Sequence, residues 1–111
     1  MQKGICYVES YPTSPEQEAE YNEWYDKVHL REIVSCDGFV SARRYAPAGP
    51  GLPYVAIYEI ESEDVQSSVD GMWAFARSGR MTASEAIQSD PPAVVRALVC
   101  TAEHVAVDAP R

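Results

Sequence analysis

The chain has 111 residues, of which 46% are hydrophobic and 23% charged, a composition that fits one globular domain and excludes a disordered chain. Lysine and arginine number 9 against 17 aspartate and glutamate residues, so the formal net charge at pH 7 is −8. This acidic balance argues against nucleic acid and against an anionic membrane surface as partners, because both are bound through excess positive charge.

The first predicted element is a strand over residues 3–11, where β-forming side chains alternate. A helix start follows, with Ser14 as the N-cap, Pro15 as the first helical residue and Gln17 completing a capping box. We expect the helix to end before Gly38, since glycine supplies the left-handed backbone that commonly follows a helix. A single apolar stripe runs along this helix, through Tyr21, Trp24, Tyr25 and Val28.

Two further strands are predicted at residues 39–45 and 54–61, separated by a loop dense in proline and glycine. A second helix follows, capped within the run Ser62-Glu63-Asp64 and broken at Ser78-Gly79. The tryptophan on each helix is interpreted as a core anchor that holds the helix to the sheet: Trp24 and Trp73.

The end of the chain predicts a short third helix at residues 81–88 and a long last strand at residues 94–107. Residues 1–107 are taken as one domain and residues 108–111 as a frayed tail. The order β-α-β-β-α-β is typical of the ferredoxin-like α+β fold, a four-stranded antiparallel sheet with both helices on one face. Because the strands are apolar on both faces, we expect the second face to pack on another copy, giving a homodimer.

No sequence feature indicates a metal or cofactor. The three cysteines lack the paired spacing of a disulfide framework or a zinc site, and His104 has no second histidine at a ligand spacing. Nucleotide-binding motifs are missing as well. There is no long apolar run and no signal-type apolar core at Met1, so the sequence predicts a cytoplasmic protein without cofactors.

The first helix carries the most informative polar residues. At 100° per residue, Asn22, Tyr25, His29 and Glu32 fall along one edge beside the apolar stripe. A carboxylate beside an imidazole can fix its tautomer and raise its basicity, which suits a general base near neutral pH. The alternative is that His29 is a boundary histidine with no chemistry.

Residues on the strands are candidates for binding a substrate. Arg43 and Arg44 are adjacent, so one points to each face of the sheet and one can reach a substrate oxyanion. Ion pairs with the many acidic residues are the alternative. Tyr7 and Tyr58 combine aromatic bulk with a hydroxyl, which suits a flat oxygenated substrate, although such residues are often simply core.

The runs 21–32, 36–45 and 54–59 resemble the dimeric α/β-barrel superfamily, and within it most closely the EthD-like proteins. Their pattern has a tryptophan–tyrosine pair, a following histidine, then Gly-Phe and an arginine-bearing strand. The resemblance implies a dimer of two packed sheets with a small-molecule pocket between sheet and helices in each subunit. It also implies a catalytic role for His29. The chain departs from the family pattern at Arg31, where proline is frequent.

Together these features predict a small cofactor-independent enzyme acting on a hydrophobic, oxygenated small molecule, of the cyclase, isomerase, dehydratase or monooxygenase type. His29 is the predicted base and Glu32 or Asn22 orients it, while Tyr25, the two arginines and the tyrosines bind substrate. The alternative is a non-catalytic binding or accessory protein. Convergent polar groups around His29 would favour the enzyme, and an entirely apolar lining would favour the binder.

Overall fold

Four strands form one antiparallel sheet in the order β2–β3–β1–β4. The strands are β1 (Gln2–Ser10), β2 (Phe39–Tyr45), β3 (Tyr54–Ser62) and β4 (Val94–Val99). The structure is a computed structural model that describes residues 1–107, so the predicted tail at residues 108–111 lies outside the described residues. The predicted ferredoxin-like order is confirmed.

The first helical region runs between β1 and β2 in four connected pieces. They are a 3₁₀ turn (Pro15–Gln17), α1 (Glu18–Trp24), a π-helical turn (Tyr25–His29) and α2 (Leu30–Val34). Ser14 precedes them with extended backbone, but its side chain makes no capping hydrogen bond. The N–H of Gln17 instead donates to the Ser14 carbonyl at 3.1 Å, closing the 3₁₀ turn, so the predicted capping box does not form.

The second helix, α3 (Val65–Arg77), begins as predicted. The Asp64 carboxylate accepts hydrogen bonds from the backbone N–H groups of Gln66 and Ser67 at 3.0 and 3.4 Å. The side of α3 that packs on the sheet carries its three buried residues, Val65, Val69 and Met72. At the other predicted boundary, Gly38 has a φ of 89°, the left-handed backbone that glycine adopts without steric cost.

Two predictions for the last third of the chain are wrong. Residues 81–88 form no helix, because their backbone groups bond to the β1–helix loop and to Glu32 instead of to each other. The last strand ends at Val99 rather than at residue 107. Its pairing with β1 stops at Gly4, and the backbone N–H of Cys100 donates to the Lys3 carbonyl. Because β1 begins at Gln2, it offers almost no further backbone for the last strand to pair with.

The core lies between the helices and one face of the sheet, here called the inner face. Its largest fully buried side chains are Tyr21, Tyr25, Tyr58, Ile60, Val65 and Cys6. Burial raises the pKa of the Cys6 thiol to about 11, so Cys6 behaves as a small hydrophobic residue. Trp73 is 41% exposed, so its predicted role as a core anchor is wrong.

No described element covers the opposite, outer face of the sheet. It presents apolar side chains in alternation with the inner ones, among them Ile5, Ile57 and Leu98, the last 45% exposed. Lysine, arginine and glutamate side chains are interspersed with them. Within residues 1–107, no helix is both long and apolar enough to span a membrane.

Candidate functional site

The π-helical turn at Tyr25–His29 gives the first helical region its functional geometry. A π turn holds one more residue per turn than the surrounding α-helix, and such bulges are frequent at functional sites. Every side chain after the turn is therefore rotated relative to those before it. His29, the last residue of the turn, lines a cavity together with Tyr25 and Ile33, which lie four positions before and after it.

A cavity of about 120 Å³ lies beside His29, between the sheet and the helices. The sheet and the first helical region supply six of its lining side chains: Val8, Tyr58, Val95, Tyr25, His29 and Ile33. The remaining walls come from α3 and from residues 78–93, which connect α3 to β4. The lining is apolar except for the imidazole, two tyrosine hydroxyls and one indole. We call this the His29 cavity.

Two aromatic rings hold the imidazole of His29. Trp24 stacks on it with a centroid distance of 4.4 Å and an interplanar angle of 21°, and Tyr25 meets it edge-on at 4.8 Å. The Nδ1 atom is buried and has no hydrogen-bond partner among residues 1–107. Burial lowers the pKa of His29 to about 4, an effect that the nearby Glu32 carboxylate only partly opposes. The imidazole is therefore neutral at pH 7, with one ring nitrogen free to accept a proton or hydrogen bond.

The predicted hydrogen bonds between His29 and Glu32 or Asn22 are not formed. The Glu32 carboxylate accepts from the backbone N–H and the hydroxyl of Thr82 at 2.9 and 2.7 Å. Asn22 accepts from Arg44 Nη2 at 3.1 Å and donates to the Tyr54 hydroxyl at 3.4 Å. Both side chains are occupied by other partners, and the π turn that lies between Asn22 and Glu32 interrupts the 3.6-residue periodicity that the projection assumes. The expected rise in basicity is also reversed, because burial outweighs the carboxylate.

Two tyrosines bring hydroxyl groups to the same cavity. Tyr58 is 1% exposed, and its Oη atom lies near the Tyr25 hydroxyl but forms no hydrogen bond of standard geometry within residues 1–107. Burial, followed by the neighbouring Tyr25 hydroxyl, raises the pKa of Tyr58 far above its usual value. Burial also raises the pKa of Tyr25 to about 12. Both phenols therefore stay protonated at neutral pH, so each is a hydrogen-bond donor.

Arg44 lies on the inner face of β2, as the strand alternation requires of one of the two arginines. Its Nη1 donates to Asp26 at 2.7 Å and its Nη2 to Asn22, and the side chain is only 10% exposed. The guanidinium lies over three aromatic rings, with centroid distances of 4.3, 5.0 and 5.1 Å, those of Tyr25, Tyr54 and Tyr21. We call this group the Arg44 cluster. It neighbours the His29 cavity but does not line it.

Two of the predicted substrate-binding residues lie on the outer face. Arg43 is exposed there, opposite Ile57 of β3. Tyr7 of β1 flanks Ile57 on the other side, and the Tyr7 hydroxyl donates to Glu9 at 2.8 Å. The structure therefore brings His29, Tyr25 and Tyr58 together and keeps Arg43 and Tyr7 on the other side of the sheet.

Three contributors to the site were not identified from the sequence: the stacking of Trp24, the exposed wall residue Trp73, and Thr82. The stacking of Trp24 could have been considered from the sequence, since Trp24 lies five positions before His29 and residues at that spacing meet across a π turn. Thr82 could not be identified, because its position depends on how residues 78–93 fold, and Trp73 lies on α3 but borders the cavity only because residues of that segment complete it. Within residues 1–107, no group of three or more His, Cys, Asp or Glu side chains is placed to hold a metal ion.

No protein-family model and no curated protein sequence matches the chain. Two solved structures share its fold. Rv0793 from Mycobacterium tuberculosis superposes with a TM-score of 0.58 at 16% identity, over 92% of this chain and 99% of that one. A monooxygenase from the gene ActVA-Orf6 of Streptomyces coelicolor, solved in complex with the ligand nanaomycin D, gives a TM-score of 0.53 at 19% identity, over 94% and 93% of the two chains. At these identities the likeness establishes the shared fold.

Proposed function

We propose that this protein is a small enzyme that binds one ring of a phenolic or quinol-type aromatic compound in the His29 cavity and promotes its oxygenation without a cofactor. The observation that carries the proposal is that two residues lining one apolar cavity, His29 and Tyr58, each have a buried polar atom without a partner, Nδ1 and Oη respectively. Buried polar atoms without partners are costly, so a ligand that satisfies both is a natural occupant.

The dimensions of the cavity support an aromatic occupant. A dry protein cavity of roughly 150 Å³ holds a benzene molecule, and the His29 cavity has about 120 Å³. One ring therefore nearly fills it, and a larger substrate extends past Trp73, which is partly exposed at the cavity wall. The Streptomyces structural neighbour is a monooxygenase in complex with nanaomycin D, which supports the choice of oxygenation among the reactions that begin at such a site.

The chemistry follows from the protonation states. Neutral His29 accepts the proton of the substrate hydroxyl or activated carbon, and the protonated Tyr58 donates to the oxyanion that forms. An isolated imidazolium is disfavoured here, but the transfer creates a pair of opposite charges whose attraction offsets their desolvation. The electron-rich anion then reacts with dioxygen. For 1-naphthol, the overall change to 1,4-naphthoquinone consumes one dioxygen and releases one water, so no external reductant is needed.

The test uses 1-naphthol as the probe and naphthalene as the matched control lacking the hydroxyl. We expect 1-naphthol to quench the tryptophan fluorescence of the protein and to bind at least about tenfold more tightly, the effect of one good hydrogen bond in a buried site. Oxygen uptake with equimolar quinone formation would establish turnover. Equal binding of both compounds without oxygen uptake would favour the non-catalytic alternative, and binding of neither would refute the proposal.

Assembly is a separate part of the proposal. We infer that the outer face of the sheet packs against the same face of a second copy, as in the dimeric barrels and EthD-like proteins that the sequence resembles. The exposed Leu98 and the neighbouring Ile5 and Ile57 support this, since an uncovered apolar sheet face is unusual for a monomer. Sedimentation at micromolar concentration should give twice the 12.3 kDa chain mass. A monomer at that concentration would refute the inference.

A further inference from the structure

One wall of the His29 cavity has no regular secondary structure among the described residues. It is formed by residues 78–93, here called the cover segment, through Met81, Ile87 and Ala93. The other walls belong to strands and helices, whose backbone hydrogen bonds would have to break before they moved. Local opening is favoured where few such bonds are lost, so the cover segment is the wall that opens at the lowest free energy.

The cover segment is fastened at two places of unequal strength. The first is centred on the fully buried Ala86, whose carbonyl accepts from the N–H of Thr13 at 2.7 Å. The N–H of Gln88 donates to the Tyr11 carbonyl at 2.9 Å, and the Thr13 hydroxyl donates to the Glu85 carbonyl at 2.6 Å. This fastening combines main-chain hydrogen bonds with a buried side chain, which makes it the more permanent of the two.

The second fastening is centred on Thr82 and consists of side-chain contacts near the surface. The Glu32 carboxylate accepts from both the N–H and the hydroxyl of Thr82. The Thr82 carbonyl in turn accepts from the indole Nε1 of Trp24 at 3.2 Å. Trp24 is the ring that stacks on His29. One residue of the cover segment is therefore linked both to the first helical region and to the ring that holds the candidate base.

We propose that the Glu32–Thr82–Trp24 contact is a clasp that closes the His29 cavity, and that ligand enters when the clasp releases while the fastening at Ala86 acts as a hinge. Gly79, with a φ of 82° and open space around it, supplies the second pivot where the cover segment leaves α3. Glu32 and Thr82 are then positioning residues, since reclosure places Trp24 on His29. The inference rests on the proposed function only in taking the cavity as the ligand site.

The first experiment needs no ligand. Hydrogen exchange is measured by mass spectrometry for the wild type, Glu32→Gln and Thr82→Val, with Glu23→Gln as the control because Glu23 is an exposed glutamate of the same helical region. We expect amides of residues 80–84 to exchange on the order of tenfold faster in Glu32→Gln, the effect of losing a charge-assisted hydrogen bond. Exchange near Ala86 should change little. Unchanged exchange, or an equal rise throughout the chain, would overturn the proposal.

The second experiment measures access with 1-naphthol by stopped-flow tryptophan fluorescence. If the clasp gates the cavity, Thr82→Val raises the association and dissociation rate constants by a similar factor and leaves Kd nearly unchanged. Thr82→Ser, which keeps both hydrogen bonds to Glu32, should restore the wild-type rates. A changed Kd at constant association rate would refute gating. If 1-naphthol does not bind at all, the proposed function fails, while hydrogen exchange still decides the clasp.

Discussion

The His29 cavity and the Arg44 cluster lie side by side on the inner face and share the first helical region, but their polar side chains are hydrogen-bonded to different degrees. Arg44 places both Nη atoms on partners and its charge over three aromatic rings, and its Nε atom is left without a partner among residues 1–107. His29 and Tyr58 each leave a buried polar atom without a partner among residues 1–107. Satisfied groups stabilise a fold, whereas unsatisfied ones in an apolar cavity reduce stability and remain available to a ligand. What distinguishes the candidate site is that its two incompletely bonded residues, His29 and Tyr58, line a cavity, whereas Arg44 does not.

The largest effect expected from this contrast is on catalysis. His29→Asn keeps a polar group of similar size but removes the proton acceptor, so turnover of 1-naphthol should fall by about 10²–10⁴-fold. The melting temperature should change little. His104→Asn is the control, since His104 is exposed and distant in the chain. Near-normal turnover with a lowered melting temperature would show that His29 is structural and that the incomplete network has no chemical role.

Disrupting the Arg44 cluster should instead lower the free energy of unfolding. Arg44→Ala leaves Asp26 and Asn22 without their donor and removes the charge from the aromatic rings, so the free energy of unfolding should fall by about 3 kcal/mol. Arg31→Ala, an exposed arginine on α2, should stay within about 0.5 kcal/mol of the wild type. Urea denaturation of both variants checks this. A loss of less than about 1 kcal/mol for Arg44→Ala would show that the Arg44 cluster contributes little to the stability of the fold.

The titration of His29 can be followed by measuring the free energy of unfolding as a function of pH. Its pKa is lowered from the ordinary 6.5 to about 4 in the folded chain, so the unfolded chain binds more protons between these values and stability falls as the solution is acidified. Relative to His29→Asn, the wild type should lose about 2 kcal/mol of unfolding free energy from pH 7 to about pH 4.5. Taking the difference cancels the carboxylates common to both proteins. Parallel pH profiles would show that the imidazole is not buried as described.

The smallest expected effect is the difference in stability between removing the hydroxyl of Tyr21 and removing that of Tyr58. The Tyr21 hydroxyl is hydrogen-bonded to Ser10 at 2.6 Å, so Tyr21→Phe should cost about 1 kcal/mol. Tyr58 has no such partner, so Tyr58→Phe should be neutral or slightly stabilising. Thermal unfolding of the two single variants measures the difference directly. Equal losses for both would indicate that Tyr58 Oη is satisfied in solution, which would weaken its assignment to a ligand.

Sequence patterns were sufficient for the architecture. Alternation predicted the four strands, with the last one too long, and the capping run at residues 62–64 and Gly38 predicted helix boundaries close to those observed, because these signals act over a few neighbouring residues. The site was only partly predictable. His29, Tyr25 and Tyr58 converge on the cavity, but the partners of Glu32 and Asn22 could not be read from a regular helical projection, since those partners, Thr82 and Arg44, lie on other segments of the chain.

The sequence by itself determined the order of the four strands and two main helical regions, and that Arg43 and Arg44 must face opposite sides of the sheet, because a strand alternates with a period of two. The tertiary structure decided which arginine faces inward, that Glu32 binds Thr82 rather than His29, and that burial lowers rather than raises the pKa of the imidazole. Thr82 lies 50 residues from Glu32 along the chain. Such contacts and the desolvation they produce depend on the folded arrangement of distant segments, which no local periodicity encodes.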